Sequence, residues 1–250
     1  MQACHPYGGK TRLSRESLES DVAESLERLG TSYLDVVLLH RDDPSVEVDS
    51  IVQWMHALVQ RGSCRAWGTS NWSPDRLRKL SESAVRQGLT PPTADSPQRS
   101  LARPRIPVWP DTTCADEAMV AAYREQDRLG IGCDVLGWAP LANGFLAGRW
   151  SLEDTRRGLS TAYGEGRMID AFVTQDNLAR RERAAALSRR LHASPAQIAV
   201  AYALTSVGGR APFVVLGTSQ VEHLYELVRG CVLDVSPSDV SFLEGENLHT

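Results

Sequence analysis

The sequence predicts a parallel α/β fold, and three observations carry that expectation. Helical patterns alternate with short apolar runs and brief turn signals along most of the chain. Runs such as DVVLL (35–39) and FVVLG (213–217) are nearly continuous in apolar residues, as suits strands covered on both faces. Polar residues gather where those runs end: His40, Ser70, Asn71, Gln98, Trp138 and Gly217 all fall at expected C-terminal strand ends. In parallel sheets those ends and the loops beyond them are where ligands bind.

Taken in order, Leu18, Val22, Leu26 and Leu29 lie at helical spacing between Ser14, an N-cap residue, and Gly30, a C′ glycine. Glu24 and Arg28 add an i,i+4 pair on the wet face. A strand is expected at 34–39, an amphipathic helix at 48–62 stopped by Gly62, a strand at 64–69 and a capped helix at 73–88. A weak strand at 93–98 follows, then a proline-rich loop, a helix at 115–130 and a strand at 131–138. A long glycine-containing loop (141–175) leads to helices at 177–193 and 195–207, a last strand at 212–217 and closing helices at 221–230 and 236–245. Each strand–helix unit takes roughly thirty residues or more.

Composition narrows the function classes. The 250 residues are 42% hydrophobic and 23% charged, ordinary for a globular protein with a sizeable core. A net charge of −4 with no basic stripe argues against a nucleic-acid partner. Arg180, Arg181 and Arg183, with Arg189 and Arg190, read as a solvated helix face. Five scattered cysteines without CxxC spacing point to reduced thiols and a cytoplasmic location. No apolar run approaches the ~20 residues of a membrane span, and the N-terminus lacks a signal-peptide core.

Six blocks carry a resemblance. SLERLGTSYLDVVLLHRDDP, CRAWGTSNW, SPQRSLA, GWAPLANGFLAGRW, SPAQIAVAYAL and VVLGTSQVEHL occur in the order found in the aldo-keto reductases, from about residue 11 to the C-terminus. The resemblance implies a (β/α)8 barrel of TIM type, in one domain over 1–250, that reduces aldehydes and ketones. The cofactor it implies is NADP(H) rather than NAD(H), and the substrate a small carbonyl compound. Position by position, His40 matches the family's active-site histidine. Ser70, Asn71 and Gln98 match residues that hydrogen-bond the nicotinamide carboxamide, and Trp138 the ring that stacks on the nicotinamide. Leu141, Asn143 and Gly144 match the loop over the pyrophosphate, and Gly217, Thr218, Ser219 and Gln220 the loop and helix start at the adenosine-side phosphate. The physics agrees, because helix N-termini favour anions.

The sequence departs from the family in three places. Leu227 stands where the family commonly has an asparagine facing the adenine, and Gln220 offers no charge to a 2′-phosphate. At the front, aligning His5-Pro6 with a similar family dipeptide puts Gln2 where a lysine is expected. The family's aspartate and proton-donating tyrosine would then precede residue 1, with about three strand–helix units. The expectation is therefore an incomplete barrel with weak or no reductase activity, from a reading frame opened late. Its two open edges would invite a second copy or a partner chain. Tyr7 and Tyr163 read as loop residues rather than replacement proton donors. Rival readings are a non-catalytic nucleotide-binding or regulatory subunit, and a non-redox isomerase or lyase using His40 as acid–base. A metal site at His40, Asp42 and Asp43, with Cys4 and His5 nearby, is weaker, since only His40 sits on a strand and the aspartates suit a turn before Pro44.

Overall fold

A computed structural model describes residues 1–155 and 165–246. Its strands are β1 (Gln2–Ala3), β2 (Leu34–Leu39), β3 (Cys64–Ser70), β4 (Ala94–Ser96), β5 (Asp134–Trp138) and β6 (Phe213–Val215), and they stand in the order β1-β2-β3-β4-β5-β6. The pairs from β1 through β5 are parallel. Among the described residues no pair closes the sheet, so it is an open α/β sheet of the kind a (β/α)8 barrel is built from.

Two compact units make up the chain. The first comprises 1–97, 113–136 and 208–210. Its helices are α1 (Arg15–Leu29), α2 (Val48–Gln60), α3 (Pro74–Gln87) and α4 (Glu117–Arg128). The expected punctuation of α1 is present: Ser14 accepts from Ser17 N, and Gly30 takes the left-handed conformation at φ 63°. Glu24 and Arg28 pair at 3.2 Å. Ser73 caps α3, Pro74 opens it and Gly88 closes it. Val37, Leu39, Ile51, Met55 and Trp67 form the centre of one apolar core between strands and helices.

The second unit comprises 98–112, 137–207 and 211–250. After a 3-10 turn at Ala142–Gly144 it carries α5 (Leu152–Thr155), α6 (Glu165–Phe172), α7 (Gln175–Leu191), α8 (Pro195–Ala203), α9 (Val221–Gly230) and α10 (Pro237–Glu244). Phe145, Met168, Ile169, Phe172, Leu187, Ile198 and Tyr202 pack together as its core. Helix α6 lies in what the sequence suggests is loop. Met168, Ile169 and Phe172, buried at helical spacing, were the available signal for it.

Three strands are shorter than expected. β4 ends at Ser96 because Pro97 has no N–H to continue the ladder, and Gln98 makes only an isolated parallel bridge with Trp138. β5 begins at Asp134, after Gly130 and Gly132, and β6 is confined between Pro212 and Gly217.

Two features of β3 and β4 are demanding. Gly68 lies level with Ala94, and a Cβ on it would fall on the Ala94 carbonyl. Asp95 is wholly buried and accepts from Thr69 Oγ1 at 2.7 Å and Tyr123 Oη at 2.8 Å. Burial pushes its carboxyl from the ordinary 3.8 up to about 6, against the pull of those hydrogen bonds.

Gly68→Ala should therefore cost about 3 kcal/mol or more by overpacking, read as a lower urea midpoint at unchanged m. For Asp95 the folded state holds its proton to higher pH than the unfolded chain does. Its contribution to stability is thus full below about pH 4 and declines as pH rises through about 6, by an amount on the order of 2–3 kcal/mol. Urea titrations from pH 4 to 7 should show the stability of the wild type relative to Asp95→Asn falling by this amount as pH rises.

Candidate active site and dinucleotide cavity

In the first unit the polar strand ends are built by the ladder. Ala3 O accepts from His40 N at 2.9 Å, bringing the end of β1 beside the end of β2. Trp72, fully buried, donates from Nε1 to Leu39 O at 3.2 Å and pins the segment after β3 to the same place. The loop after His40 is locked by a bidentate pair in which Arg76 of α3 meets Asp42 at 2.8 and 2.9 Å. Asp43 makes the turn, accepting from Ser45 N at 3.0 Å and from Thr11 Oγ1 at 2.5 Å. Only Asp43 has the turn role expected of both aspartates; Asp42 is committed to Arg76, which leaves neither free for a metal.

His40 itself is half-buried, and its Nδ1 is buried with no hydrogen-bond partner among the described residues. Burial, the Arg41 guanidinium and the His5 ring lower its pKa to about 4. The imidazole is therefore neutral at pH 7. That changes what the sequence suggests of it: it can donate or accept a hydrogen bond, but it is a poor source of a full proton near neutrality.

Ser70 ends β3 and is buried, its Oγ donating to Ser96 O at 3.1 Å. Asn71 takes the left-handed conformation at φ 61°, which asparagine tolerates, and its Nδ2 donates to Ser70 Oγ at 2.9 Å. Gln2 reaches the same hydroxyl from Nε2 at 3.4 Å. The register sets Ser96 level with Ser70, and Gln98 lies two residues further on. Sequence reasoning passed over Ser96. Its signal, a position level with Ser70, belongs to the strand register, which the sequence does not display.

In the second unit Gln98 is buried and bridges to Trp138, and Arg99 N donates to Trp138 O at 3.0 Å. Trp109 packs on Trp138 with ring centroids 5.8 Å apart at 47°. The indole Nε1 of Trp138 is buried with no hydrogen-bond partner among the described residues.

A cavity of about 770 Å³ opens in this unit, a volume typical of small-molecule sites. Leu141, Asn143 and Gly144 line it from one loop, and Gly217, Thr218 and Ser219 from the segment after β6. Gln220 does not line it. Thr218 Oγ1 accepts from Gln220 N at 3.2 Å, while no side chain caps the first turn of α9. Leu227 lies on the wall, making that side apolar.

Arg149, His223 and Glu226 also line the cavity, and sequence reasoning named none of them. Arg149 lies five residues beyond Gly144, and a cation beside a glycine loop was a usable signal. Glu226 accepts from Ser194 Oγ at 2.5 Å.

The cavity suits a dinucleotide's phosphates. Asn143 Nδ2 is a buried donor with no partner among the described residues. Gly144, at φ 97°, lets the backbone come close, and Arg149 supplies positive charge. Gly217 has open space where a side chain would stand, so its glycine leaves room rather than relieving strain.

Of the tyrosines considered as proton donors, Tyr7 is 83% exposed and pairs only with Lys10 in a short bridge. Tyr163 lies outside the described residues. No described helix is long and apolar enough to cross a membrane.

The strand ends and the glycine-loop cavity together define an α/β protein with a nucleotide-type site. Residues 4–245 match the Aldo/keto reductase family, and the chain belongs to it. A protein of Schizosaccharomyces pombe named "Putative voltage-gated potassium channel subunit beta" is 28% identical over 230 residues, covering 88% of this chain and 60% of that one. Versiconal hemiacetal acetate reductase of Aspergillus parasiticus is 25% identical over 244 residues, covering 95% of this chain and 64% of its own length. This chain thus spans less than two thirds of either relative.

Because burial dominates the His40 shift, its ring should stay neutral from pH 8 down to about pH 5 and titrate near 4. A ¹H–¹⁵N NMR titration of the ring checks this, and a midpoint near 6.5 would contradict it. The unfolded chain takes up a proton on this histidine near 6.5 while the folded chain declines it, so its contribution to stability is lost as pH falls from about 6.5 toward 4.

Proposed function

We propose that this chain binds NADP(H) in the second unit's cavity and supports reduction of small aldehydes or ketones, at a rate well below that of a reductase with a general acid. The observation that carries the reading is the cavity in which an unpaired Asn143 amide, Gly144 and Arg149 meet the loop of Gly217, Thr218 and Ser219.

Asn143 and Arg149 hold phosphate oxygens, the first as a neutral donor and the second as a charge. The uncapped amides of the first turn of α9 add positive potential at an anion. Preference for the phosphorylated dinucleotide rests on Arg149 and His223, since Gln220 brings no charge. Gln98 and Trp138 contribute an amide and an aromatic face to the nicotinamide. Asn71 offers an amide to its carboxamide, held in place by the Ser70 hydroxyl. Bound, the reduced nicotinamide supplies hydride. His40 offers a neutral N–H to the substrate carbonyl and polarises it by a hydrogen bond. Gln2, at the position expected of a lysine, supplies a dipole rather than a charge. Protonation of the developing alkoxide therefore falls to water, and missing general-acid help typically costs 10²–10⁴-fold in rate.

A second reading, a nucleotide-binding regulatory subunit, is supported by the neutral His40 and the uncharged Gln2, and by the relative named as a channel subunit beta. Turnover divides the two.

NADPH fluorescence titration should show binding to the wild type. Asn143→Ala and Arg149→Ala should each weaken it by about tenfold, the worth of one charge-assisted hydrogen bond. Absence of NADPH binding in the wild type would overturn the proposal. Binding without any oxidation of NADPH by reactive aldehydes would decide for the regulatory reading.

A further inference from the structure

The loop after β1 lays a second imidazole against His40. Directly beyond the His40 N to Ala3 O bond, Cys4 takes a φ of 58°, a left-handed conformation that few side chains other than asparagine and aspartate adopt. The turn is tied down from three sides. Cys4 N donates to Asp21 Oδ2 at 2.7 Å, Asp21 Oδ1 accepts from Arg12 Nη2 at 2.9 Å, and Arg12 Nη1 reaches His5 O at 3.3 Å. Nδ1 of His5 stands 3.0 Å from Pro6 O, which fixes its own ring.

So aimed, the His5 ring stacks on His40 with centroids 4.1 Å apart and an angle of 23° between the planes. His40 Nδ1 has no hydrogen bond among the described residues to hold it. The face contact therefore takes over the orienting task that a hydrogen bond on the second ring nitrogen ordinarily performs.

We propose that His5 is a positioning residue for His40, fixing the plane of its imidazole by stacking. The proposal rests on the reading of His40 as the group that meets the carbonyl. The charged groups around the pair are Arg41, Asp42 and Asp43 from the loop after β2, Arg76 from α3, Arg12 from the segment before α1 and Asp21 from α1. Asp42 is tied to Arg76 and Asp21 to Arg12. Of these charges, Arg41 disfavours a proton on His40, as does the neighbouring His5 ring.

The test is ring NMR of His40 in the whole chain, as wild type, His5→Phe and His5→Ala, with the backbone amide spectrum as the check on folding. His5→Phe keeps an aromatic face and removes the second imidazole. It should preserve the upfield ring-current shift of the His40 ring protons and raise the titration midpoint. His5→Ala should lose the ring-current shift and raise the midpoint as well. Where aldehyde turnover is measurable, His5→Ala should lower kcat by about tenfold or more at unchanged KM, with His5→Phe recovering most of it. An unchanged His40 shift and midpoint in His5→Ala would overturn the proposal, as would an unchanged kcat. A wild type that neither binds NADPH nor turns over defeats the functional reading instead, and the NMR comparison still decides whether His5 holds His40.

Discussion

The close parallel pairing of β3 with β4 is the constraint on which the first unit depends. At Gly68 the backbones approach so nearly that no side chain fits between, and this approach sets Thr69 level with Asp95 and Ser70 level with Ser96. The consequences run in both directions along the strands. One step in, the pairing buries a carboxyl that must be satisfied by Thr69 and Tyr123. At the end, it places two serines side by side with Asn71 turned back over them. A looser ladder would lose the buried network and the polar end together.

Electrostatics in this unit are governed by burial more than by charge pairing. His40 loses its proton affinity chiefly because the sheet end shields it from water, and Asp95 gains affinity for the same reason. Both groups are thereby driven toward their neutral forms. Close by, two carboxylates are tied to cations: Asp42 to Arg76, and Asp21 to Arg12. A neutral imidazole suits hydrogen bonding to a carbonyl and is a poor source of a full proton near neutrality. The second unit contrasts with this. Its cavity combines Arg149, an Asn143 Nδ2 without a hydrogen-bond partner among the described residues, and a glycine loop.

Outside the long loop at 141–175 the helices were legible from their caps and periodicity. Ser14 and Gly30 frame α1, Ser73, Pro74 and Gly88 frame α3, and Ser194 with Gln197 forms a capping box at α8. Caps are local chemistry, so a one-dimensional reading finds them. Strand lengths were less legible. Pro97 and Pro212 remove donors from ladders whose partners are distant in sequence, and the effect appears only once the partner is known. The same holds for the sites. Leu141, Asn143 and Gly144 stood out through their glycine loop. His223 and Glu226 join that loop only through the packing of α9 on α8. Helix α6 was hidden because its apolar residues form a single short stripe inside a long region rich in glycine and charge.

By itself the sequence determined the alternation of helix and strand, the helix ends and the polar strand tips, because periodicity and capping act over a few residues. It also carried, through six blocks in order, the family to which the chain belongs. Only the tertiary structure decided that Asp42 serves Arg76, that Ser96 stands level with Ser70, and that His5 lies on His40. Each of these depends on groups that meet after the chain has turned back on itself, and on how much water the meeting excludes.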